Sequence, residues 1–426
     1  MKERVIIGYD LGNQYSQISY CINESDVPET LSVVAGEENY NIPTVLCKRA
    51  GVNQWFFGRD AIKHARMGDG ELVEDLVERA RAGEKVAVDE DEFDAVALLT
   101  LFVKRSLTLL SMVSGTDRIS SMMVTCKNLD GRMVEVLGSV VAGLSLKTKS
   151  IYFQGHVESF YYYTIHQSAD LWQREVLVCD YNRDTAGFYR MECNRRTTPV
   201  VAFVEEAEYP FTDCRDIPEQ EEYRQQFFAQ MDDKFLGILK EVCEGRAISS
   251  AYLIGEGFKE EWMQESLRYL CRGKRVFQGN NLYSKGACYG LQEKLSASEL
   301  GRSHVFLGNE KLKANIGMKV QRRGEASYYA LLDAGVSWFE AFCGVEFLLD
   351  TDNVFSLIIT PLNGRDIKQA EVTLDGLPDR EGAPARLYME IKMPDKDCIR
   401  IEIEDLGFGE LYPPSGRKWI ESFEVV

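Results

Sequence analysis

Three short turns carry the side chains of this sequence that could do chemistry. They span residues 8–16, 180–185 and 255–258, and we call them the first, second and third turn. Each combines glycine or polar residues with a preceding apolar run that is typical of a buried strand. A nucleotide needs backbone N–H groups beside its phosphates and carboxylates beside its metal ion, and such turns supply both. Each turn alone is a weak signal, so the interpretation depends on their order and surroundings.

The elements around the turns alternate between strand and helix. Residues 5–7 form an apolar run that Gly8 ends, and residues 18–22 alternate apolar and polar side chains, which predicts strand, tight turn and strand. An edge strand is predicted at 42–46, because Pro43 cannot donate to a sheet. Further strands are predicted at 122–125, 176–180 and 251–254, and helices at 94–112, 133–144 and 219–244. The succession of strand and helix thus occurs twice.

The last part of the chain has a different period. From about residue 353 apolar side chains recur at every second position, and residues 387–393 and 399–403 predict a hairpin with one buried face. We therefore divide the chain into a mixed α/β domain, residues 1–310, and a mainly β domain, residues 311–426. No low-complexity linker marks this boundary.

Composition limits the partners and the compartment. The chain has 426 residues, with 49 basic and 67 acidic side chains and a net charge of −18. It lacks the basic surplus that binds nucleic acid or anionic lipid, so neither nucleic acid nor a membrane is an expected partner. The eleven cysteines contain no CxxC pair and there are only four histidines, which gives no sign of a zinc site or a disulfide framework. Without a recognisable signal peptide or membrane span, we expect a cytoplasmic protein with reduced thiols.

The order of the turns resembles that of the actin, hexokinase and heat-shock ATPase superfamily, and most closely the seventy-kilodalton heat-shock chaperones. The segment GYDLGNQYSQIS is similar to the family's first phosphate turn, with Asn13 and Gln14 in place of a threonine pair. Residues 41–65, 121–125 and 156–159 resemble later segments of the family in the expected order. The resemblance implies an α/β actin-like ATPase fold, with two ribonuclease-H-like lobes around a nucleotide cleft.

The resemblance also implies roles for individual residues. Asp10 and Asp180 would hold hydrated magnesium, and together with Glu158 they are the candidate catalytic residues that orient the attacking water. The candidate residues for binding ATP or ADP are Gly12, Asn13, Gln14, Tyr15, Arg183, Thr185, Gly255, Gly257, Phe258 and Lys259. Two of these assignments have simpler alternatives: Asp10 could be an ordinary turn residue, and Glu158 precedes an aromatic run typical of a helix core.

The second turn departs from the family pattern. Where the family has glycines after the aspartate, this chain has Tyr181, Asn182, Arg183 and Asp184. Side chains at these positions should block or reshape the backbone cradle for phosphate. Thr185 keeps its expected place, and the guanidinium of Arg183 could itself contact a phosphate.

Residues 372–416 resemble the substrate-binding β-sandwich of the same chaperones. The matching residues are Gly376, Pro378, Arg380, Gly382 and Pro384. The helical lid that follows in that family has no counterpart before the sequence ends at Val426.

The sequence therefore predicts a chaperone-like, ATP-binding protein with possible weak ATPase activity, in which nucleotide state controls the binding of a protein or peptide client by the β-domain. Two alternatives stay open. A non-catalytic interaction protein is compatible with the lost glycines of the second turn, and an actin-like filament protein is compatible with the shared fold but not with the C-terminal sandwich. The sequence fixes neither the client nor the oligomeric state.

Overall fold

The computed structural model describes residues 5–23, 27–34, 36–113, 116–148, 150–279, 281–350, 353–362, 366–380 and 382–425. The chain divides into two compact units, Met1–Val305 and Phe306–Val426, which we call unit 1 and unit 2. Unit 1 is mixed α/β, and unit 2 consists mainly of strands.

Unit 1 begins with a sheet of parallel and antiparallel strands. The elements of this first half of unit 1, which include strands and helices outside the sheet, are in chain order β1 (Val5–Leu11), β2 (Tyr15–Cys21), β3 (Glu29–Thr30), β4 (Ile42–Pro43), β5 (Leu46–Arg49), β6 (Trp55–Phe57), α1 (Gly58–Arg66), β7 (Gly70–Val73), α2 (Leu76–Ala82), β8 (Lys85–Val88), β9 (Asp91–Asp94), α3 (Ala95–Leu107), β10 (Ile119–Cys126), α4 (Gly131–Leu144), β11 (Ile151–Gly155) and α5 (His156–Ile165). The first sheet has the order β11-β10-β1-β2-β3, and β4 also pairs with β2. Strands β1, β2 and β3 are antiparallel, whereas β10 and β11 are parallel to β1.

A second sheet repeats this arrangement. The strands of this sheet and the helices between them are β12 (Glu175–Asn182), β13 (Thr185–Asn194), β14 (Val200–Pro210), α6 (Glu221–Cys243), β15 (Ile248–Ile254), α7 (Glu265–Leu270), β16 (Arg275–Gln278), α8 (Leu282–Leu295), α9 (Glu299–Ser303) and β17 (His304–Phe306). The order is β16-β15-β12-β13-β14-β17, with β12, β13 and β14 antiparallel and β15 and β16 parallel to β12. The repetition predicted from the sequence is therefore present as two sheets of the same topology.

The central strands are apolar because both of their faces are covered. Every residue of β1 is buried, and α8 packs on β1, β2 and β10. The expectation that Gly8 ends the first strand is wrong. Gly8 lies inside β1, where a Cβ atom would come within 2.2 Å of the Ser284 carbonyl oxygen of α8. The glycine thus allows a close approach of helix and strand.

Most other predicted elements of unit 1 occur with small shifts of their ends. The predicted edge strand at 42–46 is an exception, because it forms two short strands, β4 and β5. Between them the Thr44 N–H donates to the Gln14 carbonyl of the first turn, at 2.9 Å. The polypeptide therefore leaves the ladder at this point to support the first turn.

One helical segment among the described residues, Ala95–Met112, is long and apolar enough to cross a membrane by length and composition. This corrects the expectation that no stretch approaches a membrane span. The segment joins α3 to a 3₁₀ turn, and its Leu98, Phe102 and Val103 side chains are buried. Since α3 packs against α2 and α4, the composition is that of a core helix, which passes the same test.

Unit 2 contains two four-stranded antiparallel sheets. Its strands are β18 (Ala314–Arg322), β19 (Glu325–Leu332), β20 (Phe342–Leu349), β21 (Val354–Pro361), β22 (Lys368–Thr373), β23 (Ala385–Asp395), β24 (Cys398–Asp405) and β25 (Lys418–Glu424). The sheet orders are β19-β18-β21-β22 and β20-β23-β24-β25. Strands β23 and β24 form the predicted hairpin, and its alternate residues, such as Leu387, Ile391 and Ile401, are fully buried.

A buried ion pair lies in the interior of unit 2. Nη2 of Arg380 donates to both carboxylate oxygens of Asp405, each at 2.7 Å, and both side chains are almost completely buried. Asp405 also accepts from the backbone N–H groups of Gly407 and Ser415. Arg380, which the sequence singled out, therefore neutralises a carboxylate in the interior.

We predict that Arg380→Ala lowers the free energy of unfolding by about 3–5 kcal/mol, because it leaves the buried Asp405 carboxylate without its partner. Arg386→Ala is the matched control. It removes an exposed ion pair with Glu346, which solvent screens, and should cost much less than Arg380→Ala. Urea unfolding curves of the two variants and the parent chain measure the difference, and equal costs would contradict this role for Arg380.

Candidate functional site

A cleft of about 770 Å³ in unit 1 opens at the carboxyl ends of β1, β12 and β15. Ligands of open α/β sheets bind at this edge, and the volume lies in the range of about 300–1,000 Å³ typical of small-molecule sites. Nine of the sequence-predicted site residues line the cleft: Asp10, Gly12, Asn13, Gln14, Tyr15, Asp180, Arg183, Thr185 and Gly255. The three turns therefore meet around one space.

Asp10 and Asp180 occupy equivalent positions in two hairpins of the same register. Asp10 of β1 pairs with Gln17 of β2, and Asp180 of β12 pairs with Gly187 of β13, so each aspartate faces the residue seven positions later. On its other side each strand has a parallel neighbour, β10 or β15. The same local geometry thus presents one carboxylate from each sheet to the cleft.

A chain of polar contacts joins the two carboxylates. Nε2 of His156 donates to Oδ1 of Asp10 at 2.7 Å, and the imidazole ring stacks on Tyr283 with 3.8 Å between ring centroids. The Tyr283 hydroxyl donates to Oδ2 of Asp180 at 3.0 Å, and Nδ2 of Asn182 donates to its Oδ1 at 2.6 Å. His156 and Tyr283 come from α5 and α8, so both helices position the floor of the cleft.

The environment of Asp180 changes its acidity. Burial raises the pKa of the Asp180 carboxyl, and the neighbouring charge of Asp10 adds to this shift, whereas His156 and the Tyr283 hydroxyl oppose it. Burial likewise raises the pKa of the Tyr283 hydroxyl, and the Asp180 carboxylate adds to that shift. A carboxyl with a raised pKa in a cleft is a common property of functional sites.

The first turn is tied to the start of α2. Nδ2 of Asn13 donates to Oδ1 of Asp75 at 2.8 Å, and Oδ1 of Asn13 accepts from the backbone N–H groups of Val77 and Glu78. The Asn13 side chain therefore accepts from N–H groups at the N-terminus of this helix. The backbone N–H groups of Asn13 and Gln14 themselves have no acceptor among the described residues. Both residues line the cleft.

The second turn is short and strained. Asn182 pairs with Thr185, so Arg183 and Asp184 alone make the turn. Arg183 has a φ of 51°, in the left-handed region, which costs a non-glycine residue about 1–2 kcal/mol. Its guanidinium lies 3.3 Å from Oδ1 of Asp75. The backbone of Asp75 is also in the left-handed region, with a φ of 56°. This turn offers the cleft a positive charge.

The third turn contributes only one of its glycines to the cleft. Gly255 has a φ of 101°, and a Cβ there would lie 2.3 Å from the Tyr181 carbonyl oxygen. At Gly257 a Cβ would lie 2.0 Å from the Tyr181 ring. Gly257 and the buried Phe258 pack with Tyr181 in the core behind the cleft, whereas Lys259 lies over the Tyr15 ring at 5.7 Å.

Glu158 does not line the cleft. It is buried on α5, two residues after His156, and residues with this spacing lie on opposite sides of a helix. No group of three or more His, Cys, Asp or Glu in the described part of the chain could hold a metal ion directly.

Comparison with known proteins gives two matches to family models. The model described as "Family of unknown function (DUF5716) C-terminal" matches residues 27–309, which is more than half of the chain. The chain belongs to the DUF5716 family. A second model, described as "Domain of unknown function (DUF8552)", matches residues 311–425. No curated protein matches the chain.

In this member of the DUF5716 family, sequence reasoning missed several cleft residues. They are Asn41, Asp75, His156, Asn182, Glu256 and Tyr283. Asn182 directly follows a predicted strand, and His156 was noted only as part of the segment that contains Glu158. Glu256 lies within the third turn and Asn41 begins the segment 41–65, but neither was assigned to the site. Asp75 and Tyr283 carry no local signal, because they meet the turns only through the tertiary fold.

We predict that Asp180→Asn stabilises this member of the DUF5716 family at pH 7. A raised pKa means that the folded chain binds the proton more tightly than the unfolded chain. The ionised carboxyl therefore destabilises the fold increasingly as the pH rises from about 4 through the raised pKa. The gain should vanish below a pH of about 4.

Thermal unfolding of the parent and the variant between pH 3 and pH 8 measures this dependence. Asp184→Asn, at an exposed residue of the same turn, is the control and should show no gain. A gain that is independent of pH would show that burial of the charge is not the cause.

Proposed function

We propose that unit 1 is a nucleotide-binding domain of actin-like ATPase architecture, and that its cleft binds ATP or ADP with magnesium. The observation that carries this proposal is the repeated sheet, which supplies one aspartate at the same hairpin position from each half. Two ribonuclease-H-like lobes around one cleft would have this topology. The mixed parallel and antiparallel order of both sheets supports the same architecture.

The residues present fit a magnesium nucleotide. The unpaired backbone N–H groups of Asn13 and Gln14, the Thr185 hydroxyl and the Arg183 guanidinium are donors suited to phosphate oxygens. Oδ2 of Asp10 has no partner among the described residues, so it can accept from a water molecule bound to magnesium. Magnesium would neutralise charge on the phosphates.

We propose that turnover is slow or absent, in line with a non-catalytic interaction protein. Glu158 lies outside the cleft, and Asp10 and Asp180 both already accept hydrogen bonds from the protein. In this proposal Asp10 and Asp180 bind and orient the nucleotide. With Glu158, the candidate for positioning the attacking water, outside the cleft, the cleft would act mainly through binding.

We propose further that unit 2 binds a protein or peptide client, as a chaperone-like domain would. Its two four-stranded antiparallel sheets are the support for a β-sandwich of this kind. A cytoplasmic location is part of the proposal, because none of the eleven cysteines, all of which lie in the described part of the chain, forms a disulfide. Closure of the cleft on nucleotide would then be passed to unit 2.

We predict that the parent chain binds MgATP in titration calorimetry and that Arg183→Gln weakens this binding by about tenfold to a hundredfold. The reason is that a hydrogen bond to a charged group contributes about 1.5–3 kcal/mol. Glu158→Gln is the control and should leave the affinity unchanged, since Glu158 does not line the cleft. Absence of both binding heat and a thermal shift for the parent chain would refute nucleotide binding.

We predict no release of inorganic phosphate from MgATP above that of the Asp10→Asn variant, because Glu158, the candidate for positioning the attacking water, does not line the cleft. A sensitive phosphate assay with saturating MgATP tests this. Release that Asp10→Asn abolishes would contradict the non-catalytic proposal and leave nucleotide binding intact.

A further inference from the structure

A second pocket of about 550 Å³ lies beside the cleft in unit 1, and we call it the basic pocket. Four of its lining residues are cations, Arg59, Lys63, Arg66 and Lys259, and none of the described residues that line it is acidic. The chain as a whole has 67 acidic against 49 basic residues. The charged residues that line this pocket are therefore all cations, although acidic residues outnumber basic ones in the chain.

Three of the cations share one face of α1. Arg59, Lys63 and Arg66 are spaced by four and three residues, which brings them to the same side of the helix. None of the three has an ion pair or a hydrogen bond to its side chain among the described residues. Some other exposed cations of unit 1 are paired, such as Lys127 with Glu208. The like charges repel one another, which destabilises the helix.

Helix stability accounts for only part of this cluster. Lys63 and Arg66 lie in the last turn of α1, where the helix dipole favours a cation. Arg59 lies in the first turn, where the dipole disfavours one. A ligand that binds all three cations would explain why Arg59 carries its charge at this position.

The basic pocket adjoins the first turn. Tyr15 and Asn41 line both the basic pocket and the cleft. Lys259 lies over the Tyr15 ring and forms an ion pair with Glu256, which also accepts a hydrogen bond from Asn41. Apolar side chains, including Ile62 and Met67, complete the wall. The pocket therefore combines positive charges with an apolar surface, as sites for small anionic molecules do.

We infer that the basic pocket binds a second ligand, a small molecule that carries at least two phosphate groups. Three cations within one pocket match the charge of a diphosphate or triphosphate group, and their flexible side chains can surround its oxygens. This site is distinct from the cleft and does not require the proposed nucleotide. Its affinity falls as ionic strength rises, because exposed charges are screened by salt.

Inorganic tripolyphosphate is the probe, because it has neither base nor sugar. Titration calorimetry on the full chain should detect binding that Arg59→Gln/Lys63→Gln weakens at least tenfold. The control variant, Lys104→Gln/Arg105→Gln, removes two exposed cations from α3 and should bind as the parent does. All changed residues are exposed, so unaltered thermal unfolding confirms that the variants are folded.

Arg183→Gln separates the basic pocket from the cleft. The inference expects this variant to retain tripolyphosphate binding, whatever its effect on MgATP. Loss of binding in Arg183→Gln but not in Arg59→Gln/Lys63→Gln would place the phosphates in the cleft and overturn the second site. Absence of binding by the parent chain, or an equal loss in the α3 control, would overturn it as well.

Discussion

Two carboxylates at the floor of one cleft are the constraint on which the rest of unit 1 depends. Asp10 and Asp180 are each presented by a buried strand, and a charge in such a position must be compensated. His156 and Tyr283 supply the compensation from α5 and α8. The close packing of α8 on β1 requires Gly8, so even this backbone feature serves the cleft.

Two of the five described non-glycine residues with a left-handed φ lie at the same site. By the shared register Asn13 and Arg183 are equivalent turn residues, and both reach Oδ1 of Asp75. Arg183 and Asp75 are non-glycine residues in the left-handed region, and such residues persist where surrounding structure holds them and function uses them. A phosphate would compete with Asp75 for both donors, which would couple ligand binding to the start of α2.

The sequence predicted the elements better than the contacts between them. Periodicity located strands such as β12 and helices such as α6, because burial of one face leaves a local pattern. The contact of His156 with Asp10 joins residues 146 positions apart and leaves no such pattern. The resemblance of segment 156–159 predicts that Glu158 lies in the cleft. On α5 it is instead His156, two residues earlier, that lines the cleft. The prediction that Gly8 ends β1 considers only the low strand propensity of glycine and not its contact with α8.

The central claim is that the cleft between the three turns holds a magnesium nucleotide. A crystal structure determined with saturating MgADP tests it most directly. The account predicts diphosphate density between the N–H groups of Asn13 and Gln14 and the Arg183 guanidinium, with a hydrated magnesium ion between Asp10 and Asp180. An empty cleft in which Arg183 still contacts Asp75, under conditions that saturate any binding detected in solution, would contradict it.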